Sequence, residues 1–195
     1  GTLCVCDSIA VMPDQQQIDQ FLHLASLASA YLESWYSAGR VDVLTSLPNR
    51  QSLLEDIDGL AVTGGADNYT LIIFDCIDIN RTYELSRYLG IAAVENMLRS
   101  FPPLLRMRLD IDPSVVLYAF ATARYALLMK EEDADELVQK AVGFPATLTK
   151  ITGDIEISLS VHVGYLTSSP AQTGGQEVLR KTVSALHEAI RQDVP

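Results

Sequence analysis

Apolar residues recur at helical spacing along the first part of the chain: Ile18, Phe21, Leu22, Ala25, Ala28, Leu32, Trp35 and Tyr36. That stripe predicts one long amphipathic helix, opened by Asp14 as an N-cap. Ahead of it, residues 2–6 read as a short strand closed by Asp7 and a loop to Pro13. The stripe needs a cover, either the body of this chain or a second copy in a parallel coiled pair. At Val41 the pattern changes. Turn formers between Asp42 and Arg50 stop the helix, and residues 51–60 begin another. Residues 64–68 form a loop, and residues 69–76 are nearly continuous in β-formers, as in a central strand. Residues 80–100 predict a helix interrupted near Gly90 and ended by Pro102-Pro103. Residues 114–120 and Arg124–Lys130 predict two strands linked tightly through Ala121-Thr122-Ala123. A short acidic helix over Glu131–Val142, a strand over 155–165 and a final amphipathic helix over 173–191 complete the series. A hairpin between helical crossovers predicts an α/β (α+β) fold, with a mixed, mostly antiparallel central sheet flanked by helices.

Composition narrows the function classes. The chain has 195 residues, 48% of them hydrophobic and 20% charged, as expected of a globular domain plus an appendage. The apolar runs are strand-sized, so no membrane span is expected, and a cytoplasmic location follows as the expectation. The chain opens directly into a strand-like stretch, which suggests a piece of a longer protein. A net charge of −11 argues against nucleic acid as a partner. Cys4, Cys6 and Cys76 lack zinc spacing with the three histidines and read as small buried apolar residues of a reducing compartment. The acidic run from Glu131 to Glu136 lacks the glycine and ligand spacing of a calcium loop; acids in a helix's first turn are stabilised by its dipole.

Specific residues then carry a resemblance. Asp42-x-Leu44-Thr45-x-Leu47-Pro48-Asn49-Arg50 resembles the D-x-L-T-x-L-x-N-R opening of GGDEF domains, the family of bacterial diguanylate cyclases. The strand ending at Asp75, the hairpin near residue 121 and the last strand and helix fall at family-like distances. The resemblance covers roughly residues 41–192. It implies a nucleotide-cyclase or ferredoxin-like palm over residues 41–195. Residues 1–40 look like the tail of a sensory GAF domain running into a linker helix.

Active members of that family join two GTP molecules into cyclic di-GMP. Such chemistry asks for carboxylates that hold divalent metal on the triphosphate and for small residues that let backbone approach the phosphates. Asp75 matches the family's first metal carboxylate, whereas Ile77 replaces its second. The Gly-Gly-Asp/Glu-Glu-Phe motif aligns with Ala121, Thr122, Ala123, Arg124 and Tyr125, so both glycines and both acids are gone. The guanine-reading positions align with Tyr83 and a residue near Ala92. The phosphate-contacting Lys aligns with Ile190, and the inhibitory R-x-x-D motif with residues 112–115, where it is absent. His162, on a strand, and His187, where the family has Tyr, read as packing residues. Arg124 reads as solvated or paired with a nearby acid, and Arg50 as a tie between linker and domain.

The resemblance therefore implies a catalytically inactive signalling module in bacterial cyclic di-GMP pathways. It would act through dimerisation, scaffolding or contact with a neighbouring signalling domain. GTP binding and cofactors are not expected, with Mg entering only if residual nucleotide binding persists at Asp75. The rival readings are a weak or altered diguanylate cyclase using GTP and Mg, and a small-molecule sensor.

Overall fold

The computed structural model describes residues 12–63, 67–142, 147–152, 155–159, 161–169 and 173–192. The expected strand over residues 2–6, with Cys4 and Cys6, lies outside them. The chain divides between Arg40 and Val41. In the first unit, helix α1 (Gln15–Ala38) begins with a reciprocal cap. The Asp14 carboxylate accepts from Gln17 N at 2.8 Å, and the Gln17 side chain accepts from Asp14 N at 3.0 Å. Along it Leu22, Leu32 and Trp35 are open to solvent, Leu32 59% and Trp35 71% exposed, whereas Phe21 is partly buried.

The second unit runs α2 (Arg50–Thr63), β1 (Tyr69–Asp75), α3 (Ile79–Leu89), α4 (Ile91–Leu109), β2 (Leu117–Ala121), β3 (Arg124–Lys130), α5 (Glu131–Val142), β4 (Thr147–Thr152), β5 (Ile155–Leu159), β6 (His162–Ser168) and α6 (Gly175–Gln192). Strands β2-β3-β1-β6 form a four-stranded antiparallel sheet in that order. Burial of every residue of β1 fits its central place. Alternate residues of β1 feed two cores. Ile72 and Phe74 pack with Met97, Phe101 and Leu105 of α4, whereas Leu71 and Ile73 pack with Leu53 and Ile57 of α2 and Val178 and Leu186 of α6. This two-sided covering is why the strand reads as apolar throughout.

Three expectations need correction. Pro102 and Pro103 do not end a helix; they lie inside α4. Proline at 102 removes the N–H that would bond the Leu98 carbonyl, and that carbonyl accepts instead from the Tyr125 hydroxyl at 3.0 Å. The interruption itself falls at Gly90, whose φ of 85° separates α3 from α4. The strand expected over 155–165 is two strands: β5 pairs with the unforeseen β4 in a second, two-stranded sheet, and β6 pairs with β1. The strand expected from Ser114 starts later, because Asp112 Oδ1 accepts from both the amide and the hydroxyl of Ser114 and holds a turn there.

Candidate functional site

The D-x-L-T segment is architectural. Asp42 Oδ1 accepts from Thr45 N at 2.8 Å and from Thr45 Oγ1 at 2.6 Å, while Asp42 N donates to Leu47 O at 2.8 Å. This knot positions Pro48, whose carbonyl accepts from Ala119 N at 2.8 Å, and so covers part of the β2 edge. Asn49 then caps α2, its Oδ1 accepting from Gln51 N and Ser52 N. The Arg50 guanidinium lies 5.3 Å from the centre of the Phe120 ring, on the residue just before the signature hairpin. The motif thus fastens the start of the domain to β2.

The hairpin of β2 and β3 brings the signature residues to the C-terminal end of β1. Thr122 and Ala123 form the turn, and Ala123 takes a left-handed φ of 57°. Such a conformation costs a residue with a Cβ about 1 kcal/mol. Ala123 O accepts from Cys76 N at 3.0 Å, tying the turn to the segment that leaves β1. The Ala123 methyl is buried, while Ala121 and Thr122 face solvent.

Registry decides the chemistry of Asp75. It stands opposite Arg124 on β3 and His162 on β6, so the three residues form one row across the sheet. Cross-strand partners share a face, and Arg124 Nε lies 2.5 Å from Asp75 Oδ1. The Asp75 side chain is only 6% exposed and that of Arg124 25%. A buried carboxylate must be matched by positive charge, and here an arginine of the same sheet matches it. Ile77, two residues on, is buried and brings no oxygen to the site. Among the described residues, no three His, Cys, Asp or Glu side chains converge as a metal-binding group.

The neighbouring groups are equally committed. Burial, then the nearby Cys76 and Asp42, pushes the Tyr125 hydroxyl far above the usual tyrosine range. Burial and the adjacent Asp75 charge push the Cys76 thiol up, so neither group offers a nucleophile or base near neutral pH. A cavity of about 90 Å³ lies beneath the turn, lined by Asp42, Thr45, Leu98, Ala123 and Tyr125. Ligand pockets run to roughly 300–1,000 Å³, so this one admits water but not a nucleotide. Tyr83 is 65% exposed on α3, Ala92 is exposed, and Ile190 is partly buried against the α2/α6 core. His187 is exposed on α6. The Asp75–Arg124 pair could be anticipated only as an arginine seeking some acid, because the identity of that acid depends on strand register.

The comparisons bear on the fold and on the relatives. No family model matches the chain. A cyclic di-GMP phosphodiesterase of Pseudomonas aeruginosa, PA2567, is 25% identical over 193 residues, covering 97% of this chain and 32% of that protein. The chain therefore spans about a third of the length of the curated relative it matches. The solved GGDEF domain of PA2567 superposes with a TM-score of 0.63 at 22% identity, covering 75% of this chain and 91% of that one. The coiled coil and GGDEF domain of DgcB from Caulobacter crescentus, solved in complex with c-di-GMP, superposes with a TM-score of 0.68 at 18% identity, over 91% of this chain and 93% of that one. The chain has the fold of GGDEF domains.

Proposed function

We propose that this chain, a GGDEF fold whose reacting side chains have been replaced, is a non-catalytic signalling module of cyclic di-GMP pathways. The observation that carries the reading is the ion pair of Asp75 and Arg124. In an active cyclase the carboxylate at this position would face a divalent cation on the triphosphate; here a guanidinium already balances it. Magnesium would have to displace an arginine held at 2.5 Å and then rely on one carboxylate, a poor ligand set for an ion that wants octahedral oxygen coordination. With Ala121 and Thr122 in place of the glycines, phosphates would also meet their solvent-facing side chains, on a turn tied back to Cys76.

What the domain retains is a rigid scaffold and an amphipathic lead-in helix. Ile18, Phe21, Ala25, Ala28, Leu32 and Trp35 repeat at alternating three- and four-residue steps along α1, the spacing of a coiled-coil seam. We read that seam as the place where two copies pair. The likeness to a solved coiled coil and GGDEF domain over 91% of the chain supports this. In this reading the signal passes as a change in pairing or in contact with a neighbouring domain. Incubation with GTP and Mg²⁺ or Mn²⁺, followed by chromatography, yields no cyclic di-GMP; clear turnover overturns the reading.

A further inference from the structure

At the end of the β2–β3 hairpin away from the signature turn lies a groove of about 720 Å³, formed by the end of α4, the loop to β2, the close of β3 and one side of α5. Its floor is apolar, built from Ile111, Val116, Leu128, Met129 and Leu137, and Val116 is 45% exposed. Its rim is acidic. Asp110, Asp112, Asp133 and Glu136 stand there against Lys130 and Lys140. Both lysines are already engaged: Lys140 Nζ lies 2.9 Å from Glu136 and 3.9 Å from Asp110, and Lys130 Nζ lies 3.5 Å from Asp67. Arg106 stands beside Asp112, so four acids of the rim face three cations, Arg106, Lys130 and Lys140. Hydrogen bonds from Ser114 hold the Asp112 carboxyl below the usual carboxylate range, so it is charged at neutral pH.

The groove is also preformed. Arg106 donates to the carbonyls of Asp112 at 3.1 Å and Val115 at 2.9 Å, pinning the loop that makes one wall. β2 is the edge of its sheet, and the Asn49–Ala119 bridge covers it only toward the signature turn. At its start, Leu117 and Tyr118 are buried, and Val116 just ahead of them is the exposed apolar residue. An apolar trough with surplus negative charge on its rim suits a segment with apolar anchors and basic neighbours.

We propose that this groove docks a basic, apolar-anchored peptide segment of a partner protein, seated over Val116 between the loop ahead of β2 and α5. Its apolar side chains enter the trough over Val116 and Met129, and its Lys or Arg residues reach Asp112, Asp133 and Glu136. This surface is separate from the Asp75–Arg124 pair and does not depend on the fate of the nucleotide site.

The test is fluorescence anisotropy on the full chain, using a short labelled peptide that alternates Leu with Lys and Arg. The same peptide with Glu at the basic positions serves as control. The basic peptide binds saturably and more weakly as salt rises, and the acidic one does not bind. Reversing two rim charges (Asp133→Lys with Glu136→Lys) weakens binding by at least about tenfold, because like charges are then set face to face. Val116→Arg, at an exposed position, does the same while an unchanged melting temperature shows that the fold is intact. Absence of binding by the basic peptide, equal binding by the acidic one, or full binding by both folded variants overturns the proposal.

Discussion

Arg124 donates to Asp75 across β3 and β1, with the arginine Nε 2.5 Å from the carboxylate and the two residues in direct cross-strand register. The carboxylate at the end of β1 is thus half of an internal salt bridge. The carboxylate is the more buried partner, so the pair is asymmetric: removing the arginine strands a charge, whereas removing the acid leaves an arginine with access to water.

Arg124→Gln therefore destabilises the domain by about 1–3 kcal/mol, discounted for the partial exposure of the arginine. Adding Asp75→Asn to that variant recovers most of the loss, since neither group is then charged. Urea unfolding of the single and double variants, followed by circular dichroism, measures both; a double variant no more stable than Arg124→Gln contradicts the assignment.

The bond from Tyr125 to the carbonyl of Leu98 replaces the one that Pro102 cannot make. Tyr125→Phe should cost about 1 kcal/mol, the net worth of a typical hydrogen bond with an acceptor left unmatched. In the Pro102→Ala background the helix supplies its own N–H, so the same change should cost measurably less. A double-mutant cycle in urea reads this coupling directly.

Close packing of α6 on β6 depends on Gly164. A Cβ placed there would lie 2.5 Å from Leu186 N and 2.6 Å from Leu186 Cβ, both parts of a helix that cannot step aside alone. Gly164→Ala should lower stability by about 1–3 kcal/mol, the range for overpacked cores, and reduce the melting temperature accordingly.

Alkaline pH should unfold the domain through its buried phenols. Burial raises the pKa of Tyr118 and of Tyr125, reinforced at Tyr118 by its hydrogen bond to Asp56 and at Tyr125 by Cys76 and Asp42. Above about pH 10 the unfolded chain releases these protons while the folded chain keeps them. The stability they contribute is complete below that pH and is lost as pH rises past it. Urea midpoints taken from pH 8 upward should fall above pH 10, and fall less steeply in Tyr118→Phe and Tyr125→Phe.

Pairing through α1 predicts that Leu32→Glu, a charge in the middle of the seam, shifts the sedimentation mass from two copies toward one. An unchanged mass removes α1 from the dimer.

Local patterns made much of the molecule legible. The change from a continuous apolar run at residues 125–129 to an acidic first turn at Glu131 marks β3 and α5 with their observed bounds. Pro102 was misleading because the group that rescues its helix, the hydroxyl of Tyr125, lies 27 residues beyond the Leu98 carbonyl it bonds and arrives only through folding. Residues 155–165 hide a break, since a β-forming run does not say which partner each half pairs with, and β5 and β6 belong to different sheets. The residues of the turn, Ala121 to Tyr125 with no acid among them, were readable one by one. That Arg124 neutralises Asp75, 49 residues away, was not, because it depends on the pairing of β1 with β3.

The central proposal is that Asp75 is committed to Arg124 and serves no metal-bound triphosphate. Isothermal titration of the full chain with GTP in excess Mg²⁺ tests it most directly. The account predicts no saturable heat up to millimolar nucleotide, for the natural sequence and for Asp75→Ala alike. Saturable, magnesium-dependent binding that disappears in Asp75→Ala would contradict it.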